Sequence, residues 1–184
     1  MIAADVAARI RLVGMDVDGT LTDGGLYIGS SNGERVELKR FDIQDGMGMK
    51  LLQKAGLKIA LVTGRAGDAA RLRAEELKVD EFVISGKHKL PAFQTILDKH
   101  QLTWEETAYV GDDLIDIPLM KRVALPVAVA NAAAEVKSCA RHTTAAAGGH
   151  GAVREFCEAL LRARGCWDTT VGNYVSERSG DGHD

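Results

Sequence analysis

Two aspartates, Asp16 and Asp18, stand two residues apart at the end of an apolar run in the stretch GMDVDGTLTDGG. A second acidic group, formed by Asp112, Asp113 and Asp116, follows another apolar run in YVGDDLID. If folding brings these carboxylates together, their mutual repulsion calls for a hard cation. Mg²⁺ prefers carboxylate oxygens, waters and substrate phosphate as ligands. The two groups therefore predict a magnesium site.

Two further runs end in groups that could bind the oxygens of a phosphoryl group, namely the hydroxyl of Thr63 and the ammonium of Lys89. When a metal screens its charge, a carboxylate can attack phosphorus to give an aspartyl phosphate, which divides hydrolysis into two easier steps. We predict that Asp16 is the nucleophile. Asp18, two residues later on the same side of the chain, is predicted to be the general acid and then the general base.

Each of these signals also has a structural explanation. Asp-Gly is turn chemistry, Lys89 could be a solvated residue in the first turn of a helix, and Asp113 and Asp116 could cap helices or satisfy turns. Their joint occurrence, in strand order and each after its own apolar run, favours the catalytic interpretation.

The apolar runs that carry these residues predict short buried strands, and helical stretches separate most of them. The runs are IRLVGMD, KIALVTG, EFVISG, TAYVGDD and ALPVAVA, and the helices span about 46–55, 67–77, 89–100, 114–121 and 152–164. This alternation predicts an α/β fold with a doubly wound, Rossmann-like parallel sheet covered on both faces. Ligands bind at the carboxyl ends of the strands in such folds, so the polar residues are expected to meet at one edge.

One segment breaks the alternation. In LYIGSSNGERVELKRF two β-like runs flank Ser-Asn-Gly, which predicts a β-hairpin insertion over about residues 25–41. The hairpin is too short to be a separate domain, so residues 1–165 are expected to form a single domain. Residues 166–184 are a C-terminal tail with too few apolar residues for its own core, and its last nine residues are typical of disorder.

Composition argues against several classes of protein. The 23 basic and 26 acidic residues are interspersed, with a net charge of −3, so no nucleic-acid partner is expected. No apolar stretch approaches the ~20 residues that span a bilayer, and the first residues lack a secretion signal, so we expect a cytoplasmic protein without a membrane partner. Cys139, Cys157 and Cys166 lack CxxC spacing, which argues against a disulfide framework and a thiolate metal site.

Four ordered motifs resemble the haloacid dehalogenase superfamily of phosphohydrolases: DVDGTLTD, LVTGR, Lys89 and VGDDLID. The stretches DVDGTLTDGGLYIG, FDIQDGMGMKLL, VTGRAGDAARLRAEEL, YVGDDLIDIPLM and AGGHGAVREF narrow the likeness, over about residues 10–165, to the family of 3-deoxy-D-manno-octulosonate 8-phosphate phosphatases. This resemblance implies a capless domain, Mg²⁺ dependence and a role in lipopolysaccharide-type sugar synthesis. It also implies a homotetramer whose inserted hairpins form a central barrel and whose neighbouring subunits help to close the active site.

The same resemblance gives Asp16 a second role as a metal ligand. It implies that the main-chain carbonyl of Asp18 and the side chain of Asp112 are the other protein ligands. Asp113 and Asp116 are then expected in or just outside the metal shell. The implied substrate carries a phosphate and a carboxylate, so further cations are expected. Substrate-binding residues implied by the resemblance are Asp42, Ile43, Gln44, Asp45, Gly46, Lys50, Arg65, Arg73 and Lys89. Arg73 could instead be a solvated charge on its helix.

This chain has Gln44 where many members of the family carry arginine, and Lys50 where arginine also occurs, so its sugar-acid contacts need not follow theirs in detail. A sister group hydrolyses a nine-carbon, sialic-acid-like analogue and resembles TGE where this chain has TGR, so Arg65 favours the eight-carbon substrate. The tail is similar to tails that fold over a neighbour's active site, and Trp167 and Tyr174 are the residues that would gain burial there.

Four other functions are open at this point. Two are phosphatases, one for the nine-carbon analogue and one for small phosphate esters in general. A phosphoryl-transfer mutase would need a cap to exclude water, and no insertion of that size lies between the motifs. A non-catalytic oligomerisation module would not need Asp16, Asp18 and Lys89.

Overall fold

The computed structural model describes residues 1–179, and a six-stranded, wholly parallel sheet forms its centre. The strands of this sheet are β1 (Leu12–Met15), β4 (Lys58–Thr63), β5 (Glu81–Ile84), β6 (Thr107–Gly111), β7 (Leu125–Ala128) and β8 (His142–Thr143). They lie in the order β5-β4-β1-β6-β7-β8, so β1 is central and has β4 and β6 as its neighbours. The predicted doubly wound α/β fold is confirmed.

Helices cover the sheet and connect its strands. They are α1 (Ala4–Arg9), α2 (Ile43–Lys54), α3 (Asp68–Leu77), α4 (Lys89–His100), α5 (Ile117–Met120), α6 (Ala134–Cys139), α7 (Ala152–Ala163) and α8 (Trp167–Ser176). The stretch expected as one helix over 114–121 is a 3-10 turn, Leu114–Asp116, followed by the short α5. None of the described helices is long and apolar enough to cross a membrane.

Close packing around the central strand fixes one side of the catalytic edge. All four residues of β1 are buried, and a Cβ added at Gly14 would lie 2.5 Å from the Phe93 ring and 2.7 Å from the Tyr109 ring. The two rings meet edge to face, with centroids 5.7 Å apart. Tyr109 is fully buried, so this packing holds its ring in place and directs its hydroxyl to the catalytic edge.

The inserted hairpin is present, with β2 (Tyr27–Ser31) and β3 (Glu34–Leu38) paired antiparallel. Its two turn residues, Asn32 and Gly33, have φ angles of 53° and 83°, the left-handed conformation that a tight two-residue turn requires. The hairpin does not join the central sheet, and its apolar side chains are exposed, among them Tyr27, Ile28 and Leu38.

The tail forms a helix that packs on its own chain. Helix α8 contacts α2 and α7, and the guanidinium groups of Arg154 and Arg162 lie 5.5 and 5.0 Å from the centre of the Trp167 ring. Lys54 lies over the Tyr174 ring at 5.8 Å. Both aromatic rings therefore find partners without a neighbouring subunit. Of the nine residues expected to be disordered, 176–179 form the end of α8 and a turn, and 180–184 lie outside the described residues.

Candidate active site

Neighbouring strands bring the predicted catalytic groups to one edge of the sheet. Asp16 directly follows β1, Asp112 directly follows β6 and Thr63 ends β4, while Lys89 begins α4. Lys89 Nζ donates hydrogen bonds to Asp16 Oδ1 and, at 2.7 Å, to Asp116 Oδ1. Asp16 and Lys89 are only 5% and 2% exposed, so this ion pair lies in a largely water-free pocket.

Asp116 holds the lysine and its own loop in place. Its Oδ1 accepts from Lys89 and from the Tyr109 hydroxyl at 2.9 Å, and its Oδ2 accepts from the backbone amides of Asp112 and Asp113 at 3.1 and 3.3 Å. Both oxygens of Asp116 are engaged in hydrogen bonds, and the residue has no exposed surface. Asp116 is therefore suited to orienting Lys89 rather than to coordinating a metal ion. Sequence reasoning missed Tyr109, whose hydroxyl belongs to the fully buried strand β6.

The carboxylates have the charge that a divalent cation would neutralise. One oxygen each of Asp16, Asp112 and Asp116 lies within 4.8 Å of the others. Burial, and then the charge of Asp116, raise the pKa of Asp16 well above its usual value and that of Asp112 to about 6. A cluster that offers only oxygen ligands, and whose carboxylates outnumber the single ammonium of Lys89, fits Mg²⁺. Since the oxygens of Asp116 are engaged, Asp16 and Asp112 are the side chains that could hold the ion.

The side chain of Asp113 caps a turn and does not join the carboxylate cluster. Its Oδ1 accepts a hydrogen bond from Leu114 N at 2.7 Å and caps the 3-10 turn that follows. Its carboxylate is absent from the cluster of three, so the structure places it outside the side chains that could hold a metal.

The loop after β1 is fixed by contacts that only glycine permits. Gly19 has φ +96°, and a Cβ there would lie 2.1 Å from Asp112 Oδ2. Thr20 Oγ1 donates to Asp112 Oδ1 at 3.0 Å. Asn131 donates to Gly19 O at 3.0 Å and accepts from Gly148 N at 2.6 Å, which ties the loop to the AGGHG stretch. Asn131 was missed, although it follows β7 at the same edge of the sheet.

Asp18 is held by groups from two other elements. Thr63 Oγ1 donates to Asp18 Oδ2 at 3.3 Å, and Lys39 Nζ lies 2.5 Å from Asp18 Oδ1. Arg65 N donates to Thr63 Oγ1 at 3.1 Å, while the half-exposed guanidinium of Arg65 lies 3.4 Å from Glu37 of the hairpin. Arg65 therefore stands at the mouth of the site, between the sheet edge and the hairpin.

The predicted substrate loop begins at the amino end of α2. Asp42 caps this helix by accepting from Gln44 N at 2.8 Å, and Ile43 and Gln44 are exposed. Arg73 donates to Asp42 O at 3.2 Å, pairs with Glu76 at 2.8 Å and is only 14% exposed. Arg73 is therefore not a solvated charge, because it fixes the position of the 42–46 segment.

Two residues of the predicted substrate loop face other parts of the chain. The carboxylate of Asp45 is buried, and its Oδ1 accepts from Arg154 N at 2.7 Å at the start of α7. Lys50 is exposed and shares a groove with Lys54, Lys78 and Tyr174. Helix α2 runs from the catalytic edge towards the opposite edge, and Lys50 is in its second half. The structure therefore brings neither side chain to Asp16.

Asp45 should give folding a pH dependence of defined sign. Burial outweighs the hydrogen bond from Arg154 N and raises the pKa of this carboxyl from 3.8 to about 6. Because folding raises this pKa, the Asp45 carboxyl makes its full contribution to stability below about pH 4, where it is protonated. This contribution is lost as pH rises through about 6. Relative to Asp45→Asn, the wild type should gain about 1 kcal/mol in free energy of unfolding between pH 7.5 and pH 5. Urea unfolding of both proteins measures this, and parallel pH profiles would contradict it.

Comparison with known families gives the same assignment as the motifs. Residues 81–156 match the family of haloacid dehalogenase-like hydrolases. A 3-deoxy-D-manno-octulosonate 8-phosphate phosphatase of Escherichia coli strain K12 is 42% identical over 177 residues, which cover 95% of this chain and 93% of that protein.

Solved structures of similar proteins contain bound metal ions. A 3-deoxy-D-manno-octulosonate 8-phosphate phosphatase from Moraxella catarrhalis, in complex with a magnesium ion, a phosphate ion and a KDO molecule, superposes with a TM-score of 0.88 at 33% identity and covers 93% of this chain and 97% of that one. The cobalt-bound phosphatase of Haemophilus influenzae gives a TM-score of 0.82 at 35% identity, with 89% and 94% covered. The resemblance read from the motifs is confirmed.

Proposed function

Because this chain belongs to the 3-deoxy-D-manno-octulosonate 8-phosphate phosphatases, a family of haloacid dehalogenase-like hydrolases, we propose that it hydrolyses 3-deoxy-D-manno-octulosonate 8-phosphate to the free sugar acid and phosphate. The observation that carries this proposal is 42% identity over 95% of the chain to a phosphatase of that substrate. The buried Asp16–Lys89 pair and the facing Asp112 support it, since catalysis of phosphoryl transfer needs positioned charges of both signs.

The proposed chemistry has two steps. An oxygen of Asp16 attacks phosphorus, the bond from phosphorus to the sugar oxygen breaks, and Asp18 gives its proton to the leaving oxygen. Water then attacks the aspartyl phosphate, Asp18 takes a proton from that water, and phosphate leaves Asp16 free. Lys89 and Thr63 are assigned to the phosphoryl oxygens. Mg²⁺, when bound to Asp16, Asp112 and the main-chain carbonyl of Asp18, supplies positive charge for those oxygens.

Sugar-acid recognition is assigned to the mouth of the site. Arg65 offers a half-exposed guanidinium there, and the 42–46 segment offers main-chain groups and the side chains of Ile43 and Gln44. Arg73 acts through this segment by holding Asp42 O. Asp45 and Lys50 are not assigned to recognition within this chain, because Asp45 bonds to Arg154 N and Lys50 lines the groove with Lys54, Lys78 and Tyr174.

A homotetramer built through the hairpins is part of this proposal. The exposed apolar residues of the hairpin support it, because Tyr27, Ile28 and Leu38 are 59%, 61% and 62% exposed and would be buried by association. A cytoplasmic location is also proposed. It is supported by the state of the cysteines, since Cys139, Cys157 and Cys166 are all unpaired, as is usual in a reducing compartment.

A panel of substrates tests the proposed substrate. With Mg²⁺ present, kcat/KM for the eight-carbon acid phosphate should exceed that for its nine-carbon analogue and for ordinary sugar phosphates by at least about 10-fold. Ordinary sugar phosphates lack the carboxylate that Arg65 and the α2 segment would bind, and the nine-carbon acid is the substrate of a group that resembles TGE where this chain has Arg65. A preference for the nine-carbon acid would reassign the substrate. Similar low values for all compounds would indicate a broad phosphatase.

A further inference from the structure

Lys39, the residue that follows β3, reaches from the hairpin into the catalytic edge. Its Nζ lies 2.5 Å from Asp18 Oδ1, and its side chain has no exposed surface. Glu37 Oε1 is the other acidic oxygen nearby, at 3.6 Å, which is beyond hydrogen-bonding distance. A buried ammonium group needs a close negative partner, so Asp18 is the residue that keeps Lys39 in this position.

Each catalytic carboxylate thus has its own lysine. Lys89 contacts Asp16, whereas Lys39 contacts Asp18. Asp18 Oδ2 accepts a hydrogen bond from Thr63 Oγ1 of β4 at 3.3 Å. The contact of Asp18 Oδ1 with Lys39 Nζ of the hairpin is an ion pair without hydrogen-bond geometry, so charge is what joins the hairpin to this carboxylate. An aspartate on a loop has several rotamers available, and proton transfer requires one of them.

We propose that Lys39 is a positioning residue for the acid/base Asp18, and that the hairpin thereby controls catalysis from within the same chain. This inference rests on the proposed phosphatase function. Without Lys39, Oδ1 of Asp18 loses its ion-pair partner. The carboxylate then spends less time in the rotamer that faces the leaving oxygen or the attacking water. Both proton transfers slow down, whereas groups that bind the phosphate and the sugar acid are unchanged.

The first test is Lys39→Met, which keeps the length of the side chain and removes its charge. We expect kcat for the sugar-acid phosphate to fall by about 10²-fold with KM within about 3-fold, since acid–base catalysis contributes about 10²–10⁴-fold. Lys39→Arg should recover kcat to within about 10-fold of the wild type. It retains the positive charge, and failure of this rescue would count against the proposal.

A second substrate separates positioning from structural damage. The leaving group of 4-nitrophenyl phosphate needs no proton, so Asp16 is still phosphorylated rapidly, but hydrolysis of the aspartyl phosphate still requires Asp18. Lys39→Met should therefore release a burst of about one 4-nitrophenolate per subunit, followed by slow turnover. Asp18→Asn should show the same two phases. A damaged fold would instead lower the burst and the steady rate together, and that result would overturn the proposal.

Arg35→Met is the matched control on the same hairpin. Arg35 pairs with Glu37 at 3.0 Å, is 62% exposed and does not contact Asp18. Its kcat should equal that of the wild type, and a fall as large as that of Lys39→Met would assign the effect to the hairpin in general and overturn the proposal. If the wild type cleaves 4-nitrophenyl phosphate but not the sugar-acid phosphate, the proposed substrate is wrong, while the Lys39 comparison still decides the role of Lys39.

Discussion

Replacing Asp16 with asparagine is expected to lower kcat for phosphate release by at least about 10⁴-fold, as loss of a nucleophile does in other covalent mechanisms. The amide cannot attack phosphorus, and it is a poorer ligand for a divalent cation. Asparagine has the shape of aspartate and can still accept the hydrogen bond from Lys89, so the chain should fold. Initial rates of phosphate release, together with circular dichroism, measure both effects.

Asp5→Asn is the control for this substitution, since Asp5 is an exposed acid on α1 whose ion pair with Arg9 spans 3.6 Å at the surface. It should retain the wild-type kcat. If Asp16→Asn were within about 10-fold of the wild type while folded, the aspartyl phosphate route through Asp16 would be refuted.

Lys89→Met should remove both activity and stability. Although burial opposes the charged form, Asp16 and Asp116 outweigh it and raise the pKa of Lys89. Without that cation, two buried carboxylates face each other with no counter-charge. Removing one member of a buried charge cluster costs about 3–5 kcal/mol, so we expect a loss of this size in the free energy of unfolding in a chelator-containing buffer. With Mg²⁺, kcat should fall by about 10²–10³-fold, since a positioned charge on the phosphoryl group is lost.

Lys87→Met is the matched control, because Lys87 is exposed and lies two residues earlier in the chain. Its urea midpoint and its kcat should stay at the wild-type values. A Lys89→Met protein as stable as the wild type would show that the buried charges are compensated in another way, and the proposed role of Asp116 in holding Lys89 would then fail.

The catalytic edge was predictable because it depends on strand order and on little else. Asp16, Thr63 and Asp112 each end an apolar run, and the runs are parallel, so their carboxyl ends must meet. Lys89 follows the next strand by a short loop. No knowledge of side-chain packing was needed for any of these, and the same reasoning, extended to β7, would have drawn attention to Asn131.

Residues on helices and on the hairpin were harder to place. A helix turns about 100° per residue, so one stretch points side chains in several directions. Ile43 is exposed near the site, whereas Asp45 turns inward to α7. Lys39 belongs to an exposed hairpin, and no period in the sequence indicates that its side chain turns back to Asp18. These contacts depend on the angle between elements, which the chain alone does not reveal.

Short elements were missed for a related reason. Helices α1 and α6 have six residues each and β8 has two, which is too little for a periodic pattern to stand out. Helix α8 was assigned to a tail because its sequence is polar. Its stability comes from packing on α2 and α7. The packing uses the rings of Trp167 and Tyr174, which the sequence alone assigns to an interface with a neighbouring subunit.

The most direct test of the central claim is release of phosphate from 3-deoxy-D-manno-octulosonate 8-phosphate by the purified wild-type chain, with and without Mg²⁺ and with Asp16→Asn as the blank. We expect release that a chelator abolishes, that added Mg²⁺ restores, and that the blank lacks. Absence of metal-dependent release from a folded wild-type protein would contradict it, and a non-catalytic role for this fold would then be the better explanation.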